Sequence, residues 1–405
     1  MSAESKESFV AQRLQSLDAY RGLIMVALAF QAFGLLGVAK NHLKDNPSSS
    51  FWNAIAYQTE HTEWLGCGFW DLIQPSFMFM VGVSMPYSYA GRKKRGDTWK
   101  QMLGHAIRRS FVLIFLGIFL ISNFDKRTSW FLTNVLTQIG LAYTFLFLLW
   151  DRSFRVQLIA AVVLLVGTWL LYVTYPSSGV NMMTGSPEVG IRAEWAQQNL
   201  TGVDPAWHKN ANVGHAIEVQ VLNQFPRDTP FIASTGGYAL INFIPSLVTM
   251  LFGMMIGEWL RSQRSGQQKA IVMAVCGFGA LLVGDLLEWT GICPVIKRIW
   301  TPSWAVYSTG WCLLILSMLY VIIDLGQYRR WAFPLLVVGM NSIAIYCMSM
   351  ILKPWTGETW KRHFGPHVFD FAGPMWEPMV RSTMIGLAFW MICYVMYRQK
   401  IFVRV

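Results

Sequence analysis

The stretch HTEWLGCGFWDLIQP, residues 61–75, sets a histidine, a tryptophan, an aspartate and a glutamine ahead of an apolar run that opens on a proline. An ordinary histidine titrates near neutrality. His61 therefore has the chemistry of a general base toward a hydroxyl or an amine, or of a nucleophile that briefly carries an acyl group. It also has the chemistry of an interfacial histidine that bonds only lipid or water. Asp71 falls in the first turn of the expected helix, where the exposed N–H groups and the dipole favour a carboxylate, so it either caps the helix or serves a site. Pro75 removes one helix hydrogen bond and frees the carbonyl of residue 71. Asp71, that carbonyl and Gln74 then form a polar notch on one face. His61 stands ten residues earlier, out of reach along a helix, and meets Asp71 only if residues 61–70 fold back as a loop. Trp64 offers a ring that could stack on a sugar.

The elements that must hold these residues are membrane helices. Of 405 residues, 54% are hydrophobic and 14% charged, more apolar surface than a soluble core of this size hides. Apolar runs near the roughly 20 residues a helix needs to cross hydrocarbon occur at 22–39, 70–89, 108–122, 131–150, 156–174, 238–259, 270–287, 303–324, 333–352 and 380–397. The expectation is an all-α, polytopic integral membrane protein of about ten spans with room for an eleventh, one domain over residues 1–405. The opening MSAESKESFVAQRLQSLDAYRG is too polar to be read as a signal peptide. With both termini inside, the inner segments carry 20 of the 33 lysines and arginines, most densely in GRKKRGDTWKQMLGHAIRR. That positive-inside pattern accounts for most of the net charge of +11 without nucleic acid as a partner. His61 and the long segments 40–68 and 175–237 then lie outside.

Cys67 and Cys293 fall near the outer face, where they could pair if the fold brings them together; the other four cysteines sit inside apolar runs. No metal or phosphate-loop motif is visible, so no metal is expected. Asn242, Asn341 and Ser342, like Asn134 and Gln138, place small polar groups in the spans, where they bond helix to helix or line a site.

Four motifs occur in order: RLQSLDAYRG before the first span, H-x-x-W-x-G-x-x-x-x-D-L-x-x-P-x-F-x-F-x-x-G around the second, P-x-x-K-x-x-W-T-x-S at 294–303, and GMNSIAIY at 339–346. Together they resemble the heparan-α-glucosaminide N-acetyltransferase family and its bacterial relatives. The resemblance implies a transmembrane acetyltransferase of a bacterial inner membrane, and the positive-inside pattern puts both termini in the cytoplasm. Such an enzyme takes acetyl from cytoplasmic acetyl-CoA, a co-substrate, and delivers it to an amino sugar or glycan on the periplasmic side. It also implies that His61 holds the position of the family's acetyl-transferring histidine. Asp71 stands beside it as a catalytic candidate. Candidate substrate contacts are Trp64, Gln74, Asn242, Asn341, Ser342, Lys297 and Trp300. Arg13, Arg21, Arg108, Arg109 and the 92–95 cluster would face the CoA phosphates, as they would face lipid headgroups. Membrane lipids are expected partners, and a homodimer is one assembly left open. Two family positions differ: Gln31 stands where the family has an asparagine near the end of the first span, and Ser349 and Met350 where it has a histidine after GMNSI. The rival reading is an inner-membrane transporter for N-acetylglucosamine or a related sugar. It would call for buried carboxylates or histidines mid-membrane and for related halves, neither of which is evident.

Overall fold

Hydroxyl and amide side chains start the long helices. Thr98, Asn134, Ser153, Ser265 and Thr301 each accept a hydrogen bond from the backbone N–H three residues on, satisfying one of the donors a helix leaves open. In the computed structural model, which describes residues 14–176 and 182–403, sixteen α-helices follow one another and the described residues contain no strand. In the first half these are α1 (Gln15–Ala29), α2 (Leu35–Asp45), α3 (Ser50–Thr59), α4 (Ile73–Lys94), α5 (Trp99–Ser122), α6 (Val135–Leu149), α7 (Phe154–Val173) and α8 (Ala193–Asn199). The second half holds α9 (Val213–Leu222), α10 (Phe243–Leu260), α11 (Gly266–Trp289), α12 (Pro302–Leu319), α13 (Phe333–Gly339), α14 (Ser342–Ile351), α15 (Lys353–Phe364) and α16 (Glu377–Arg398).

The outward faces are what lipid requires. Ile271, Val275, Phe278 and Leu282 form an exposed stripe along α11, and Phe111, Phe115 and Phe119 another along α5. Against the ten expected spans, six helical segments among the described residues are long and apolar enough to cross a membrane, or eight if two bent pairs each count as one span. The bends have local causes. Between α1 and α2, the run from Gln31 to Gly34 has positive φ at all four residues, and the two helices diverge by 43°. Between α13 and α14 the break at Met340 and Asn341 bends the pair by 67°. The two remaining expected spans correspond to α4, whose last turn is Arg92, Lys93 and Lys94, and to α6, whose 15 residues rise only about 22 Å.

The second expected span starts later than residue 70. Asp71 lies in a 3₁₀ turn, Phe69–Leu72, that leads into α4. Deep in the bundle α4 crosses α10 closely: a Cβ on Gly82 would lie 1.9 Å from the Met250 carbonyl, and on Gly253 and Gly257, 2.2 and 2.3 Å from the carbonyls of Phe79 and Val83. The G-x-x-x-G of 253–257 is thus a packing face, and it fixes the axis on which both ends of α4 depend. A second hydrophobic cluster forms outside the bundle. Trp64, Tyr172, Trp207, Ile191 and Leu200 bury together with Cys293, Ile296 and Ile299, joining the segment 182–239 to the two loops of the site. Cys67 and Cys293 are both free thiols.

Candidate active site and basic cavity

Residues 60–68 do fold back as a loop, and His61 meets Asp71. The ring Nδ1 lies 2.8 Å from Asp71 Oδ1. The other carboxylate oxygen accepts from the backbone N–H groups of Thr62 at 3.2 Å and Gly68 at 3.1 Å, so the aspartate closes the very loop that carries the histidine. Lys297 arrives from the loop before α12: its Nζ lies 3.3 Å from Asp71 Oδ1 and 2.9 Å from His61 Nδ1. Asp71 is fully buried and Lys297 nearly so, whereas 39% of the His61 side chain is exposed. Arg298 donates from Nε and Nη2 to the Thr62 carbonyl and from Nη1 to that of Gly236, tying the histidine loop to the segment 182–239.

These contacts decide protonation. An Nδ1–H that donates to Asp71 has no lone pair left for Lys297, and a charge-assisted bond to a carboxylate is the stronger of the two. The proton therefore sits on Nδ1, Lys297 donates to the same carboxylate, and Nε2 keeps its lone pair. Burial pushes the Asp71 carboxyl up, but the His61 bond, the Lys297 charge and the Gly68 N–H outweigh it and hold the pKa at about 2. For His61, burial lowers the pKa most, the Asp71 bond raises it, and the Lys297 and Arg298 charges lower it again, leaving it below the ordinary value. The result is a neutral, half-exposed imidazole backed by an ionised carboxylate, able to take a proton or attack an electrophile.

At the far end of α4 lies a cavity of about 1490 Å³. Arg21, Arg92, Arg95, Arg108, Arg109 and Arg261 line it, and Arg109 Nε is buried there without a partner. An unpaired guanidinium donor in a basic wall fits an anionic group such as phosphate. Arg21 is held by Asp18 at 3.1 Å and by the Ser84 hydroxyl, and Arg109 donates to Tyr143 Oη at 3.0 Å. The cavity runs up α4 as far as Ser76, five residues or about 7.5 Å of rise from Asp71. Ser76 closes its upper end, and behind the lining Ser76 Oγ lies 2.9 Å from the buried Tyr20 Oη and 3.6 Å from the buried Cys312 Sγ.

Trp64 is buried, donates Nε1–H to the Trp207 carbonyl and packs edge-on to Trp195; the indole beside His61 is that of Trp70, 6.3 Å away between ring centres. Trp300 is buried too, bonded to Thr249. A buried ring has no face for a sugar, so Trp64 and Trp300 hold the loops. Asn242 donates to the Arg298 carbonyl at 2.8 Å, again behind the site. Gln74 lies partly exposed at the start of α4. Ser342 lines the basic cavity, and Asn341 sits beside it, bonded to residues 401 and 403, so both belong to the end of the bundle away from His61. Arg13 lies outside the described residues. Asn134 caps α6 and Gln138 bonds the carbonyls of Leu132 and Leu240, both structural roles. Arg298, Trp70, Tyr20 and Ser76 are the participants that sequence reasoning missed. Each had a positional signal: Tyr20 lies inside RLQSLDAYRG, Trp70 inside the stretch 61–75, Ser76 just after Pro75, and Arg298 beside Lys297.

The fold and the site define a multi-pass, all-helical membrane protein with a buried acid–base cluster at one end and a basic cavity reaching toward it from the other. No family model matches the chain. Along 98% of its length it is similar to the heparan-alpha-glucosaminide N-acetyltransferases of Mus musculus, at 23% identity, and of Homo sapiens, at 22%. The chain spans 61% of the length of each of these relatives. The family resemblance carried by the four motifs is thus supported over nearly the whole chain.

Proposed function

We propose that this protein is a membrane-embedded acetyltransferase that uses an acyl-CoA, acetyl-CoA first, on the basic side and acetylates an amino sugar or glycan at the His61 side. The reading rests on one observation above the rest: α4 carries the His61–Asp71–Lys297 cluster at its start and an arginine-lined cavity along its other end, and the cavity stops one and a half turns short of the cluster. The basic side is the cytoplasmic side by its charge, and the cap of residues 182–239 is periplasmic.

In this reading the CoA phosphates rest among Arg21, Arg108 and Arg109 and the pantetheine arm rises along α4. His61 Nε2 takes a proton from the acceptor amine as its nitrogen attacks the thioester carbonyl. The tetrahedral intermediate collapses, the C–S bond breaks, and the thiolate leaves and is protonated by the imidazolium. Asp71 steadies that imidazolium through Nδ1–H, and Lys297, by pairing with the carboxylate, keeps the resting ring neutral. The names of the two relatives, N-acetyltransferases acting on a glucosaminide, support an amino-sugar acceptor.

The test is purified protein incubated with acetyl-CoA and a panel of amino sugars and cell-wall fragments, following CoA release and acceptor mass. A product heavier by one acetyl group, absent with His61→Ala, is expected. No CoA release with any acceptor would defeat the proposal.

A further inference from the structure

Asn341 does not face the His61 site, and the structure gives its carboxamide another ligand. α13 and α14 meet at the 67° break, and Asn341, with φ −123° and ψ 36°, stands outside both helices with its side chain wholly buried. Its Nδ2 donates to the Ile401 carbonyl at 3.1 Å, and its Oδ1 accepts from the Val403 N–H at 3.0 Å. Those two backbone groups belong to residues two apart, so they leave the same edge of an extended segment. The amide grips that edge as a neighbouring strand would.

The segment is aimed there by its own turn. After α16, Lys400 adopts φ +57°, and the N–H groups of Lys400 and Ile401 close back on the carbonyls of Tyr397 and Met396 at 3.1 and 2.9 Å. This left-handed cap reverses the chain across the basic end of the bundle. Phe402 and Val403 then form part of the cavity wall, beside Met340, Ser342 and Ile343 from the break.

We infer that Asn341 is a positioning residue for the donor: it clamps residues 401–403 as one wall of the basic cavity, and that wall holds the CoA moiety. The inference rests on the acyl-CoA reading of the cavity. A carboxamide suits the clamp because it supplies one donor and one acceptor side by side. Aspartate loses the donor, and alanine loses both.

The experiment measures binding of CoA itself, without acetyl group or acceptor, to wild type, Asn341→Ala, Asn341→Asp and Phe402→Ala. A parallel series carries Val403→Cys, labelled by a maleimide with and without CoA. Asn341→Ala is expected to weaken CoA binding by about tenfold, the effect of losing a hydrogen bond or two that order the wall. Asn341→Asp should fall between, and kcat at saturating donor should stay within about twofold of wild type. Phe402→Ala removes wall without touching the clamp and should weaken CoA as well, so the inference does not hang on a variant that fails to fold. CoA should slow labelling at 403, and Asn341→Ala should speed it in the absence of CoA. If wild type binds CoA while both alanine variants bind it equally well and labelling ignores the ligand, this inference is overturned and the acyl-CoA reading stands. If wild type binds no CoA, the acyl-CoA reading fails and takes this inference with it, although faster labelling of Asn341→Ala would still report the clamp.

Discussion

The two ends of α4 hold charge in opposite ways. At the His61 end, three ionisable side chains from two loops meet within 3.3 Å, two of them buried, and backbone N–H groups complete the carboxylate's shell. At the basic end the charges come from helices, stand around a large cavity, and most keep some contact with solvent. The first arrangement fixes a geometry and a protonation state. The second supplies a field in which no single cation is decisive. A reacting centre needs the former, and a long flexible anionic substrate is served by the latter.

The largest effect expected from that contrast comes from Asp71. Asp71→Ala strands the buried Lys297 ammonium and unties Thr62 and Gly68, which should cost about 3–5 kcal/mol and leave little folded protein. Asp71→Ala combined with Lys297→Met should recover thermal stability but no acetyl transfer. Recovery of activity in the double variant would show that the cluster is structural.

His61→Ala comes next. The side chain is partly exposed, so fold and CoA binding should stay near wild type while transfer is lost. With His61→Asn, a residual rate lower by about 10² to 10⁴ is the signature of lost general-base assistance, and complete loss that of an acyl-histidine. An alanine variant that keeps more than half the wild-type rate would remove His61 from the chemistry.

How far the sequence could be read follows the same division. The spacing H-x₉-D stated that the loop must fold back for His61 and Asp71 to meet, and it does. Lys297 entered only through a motif, because its 236 residues of separation from His61 are closed by tertiary packing that no local pattern encodes. Trp64 and Trp300 show the opposite failure. An indole near a site has the same sequence signature whether it faces a ligand or, as both do here, carries the hydrophobic cluster that holds a loop in place. Asn341 falls near the middle of the apolar run 333–352, but the break it occupies sets it toward the basic end. The helices were legible because lipid enforces long apolar runs. Their count was less so, since bends and the short α6 blur what one span is.

The pH profile sharpens the comparison at the His61 end. The folded pKa of His61 lies below its ordinary, unfolded value. The unfolded chain therefore binds more protons in that window. The neutral ring's contribution to stability is fully present above the unfolded pKa and is lost as pH falls through the window to the folded value. The acid limb of kcat/KM should accordingly lie below about 6.5, the usual histidine value. Lys297→Met removes a cation that pushes the ring down, so it should move that limb to higher pH. A limb that stays fixed in this variant would mean that Lys297 does not set the protonation state.

The smallest effect is expected at the other end. Arg108 lines the cavity on an exposed part of α5. A contact from it to a CoA phosphate is charge-assisted, worth at most about 1.5–3 kcal/mol, and solvent screening and the neighbouring arginines should reduce the loss in Arg108→Ala to the lower end of that range or less. The donor KM should then rise by roughly tenfold or less, grow more salt-sensitive in wild type than in the variant, and leave the acceptor KM and the His61 acid limb where they were. Arg109→Ala, which removes a partly buried guanidinium with an unpaired Nε, should raise the donor KM further. Equal and large losses of kcat in both variants, with the donor KM unmoved, would place the arginines in the chemistry and erase the distinction between the two ends.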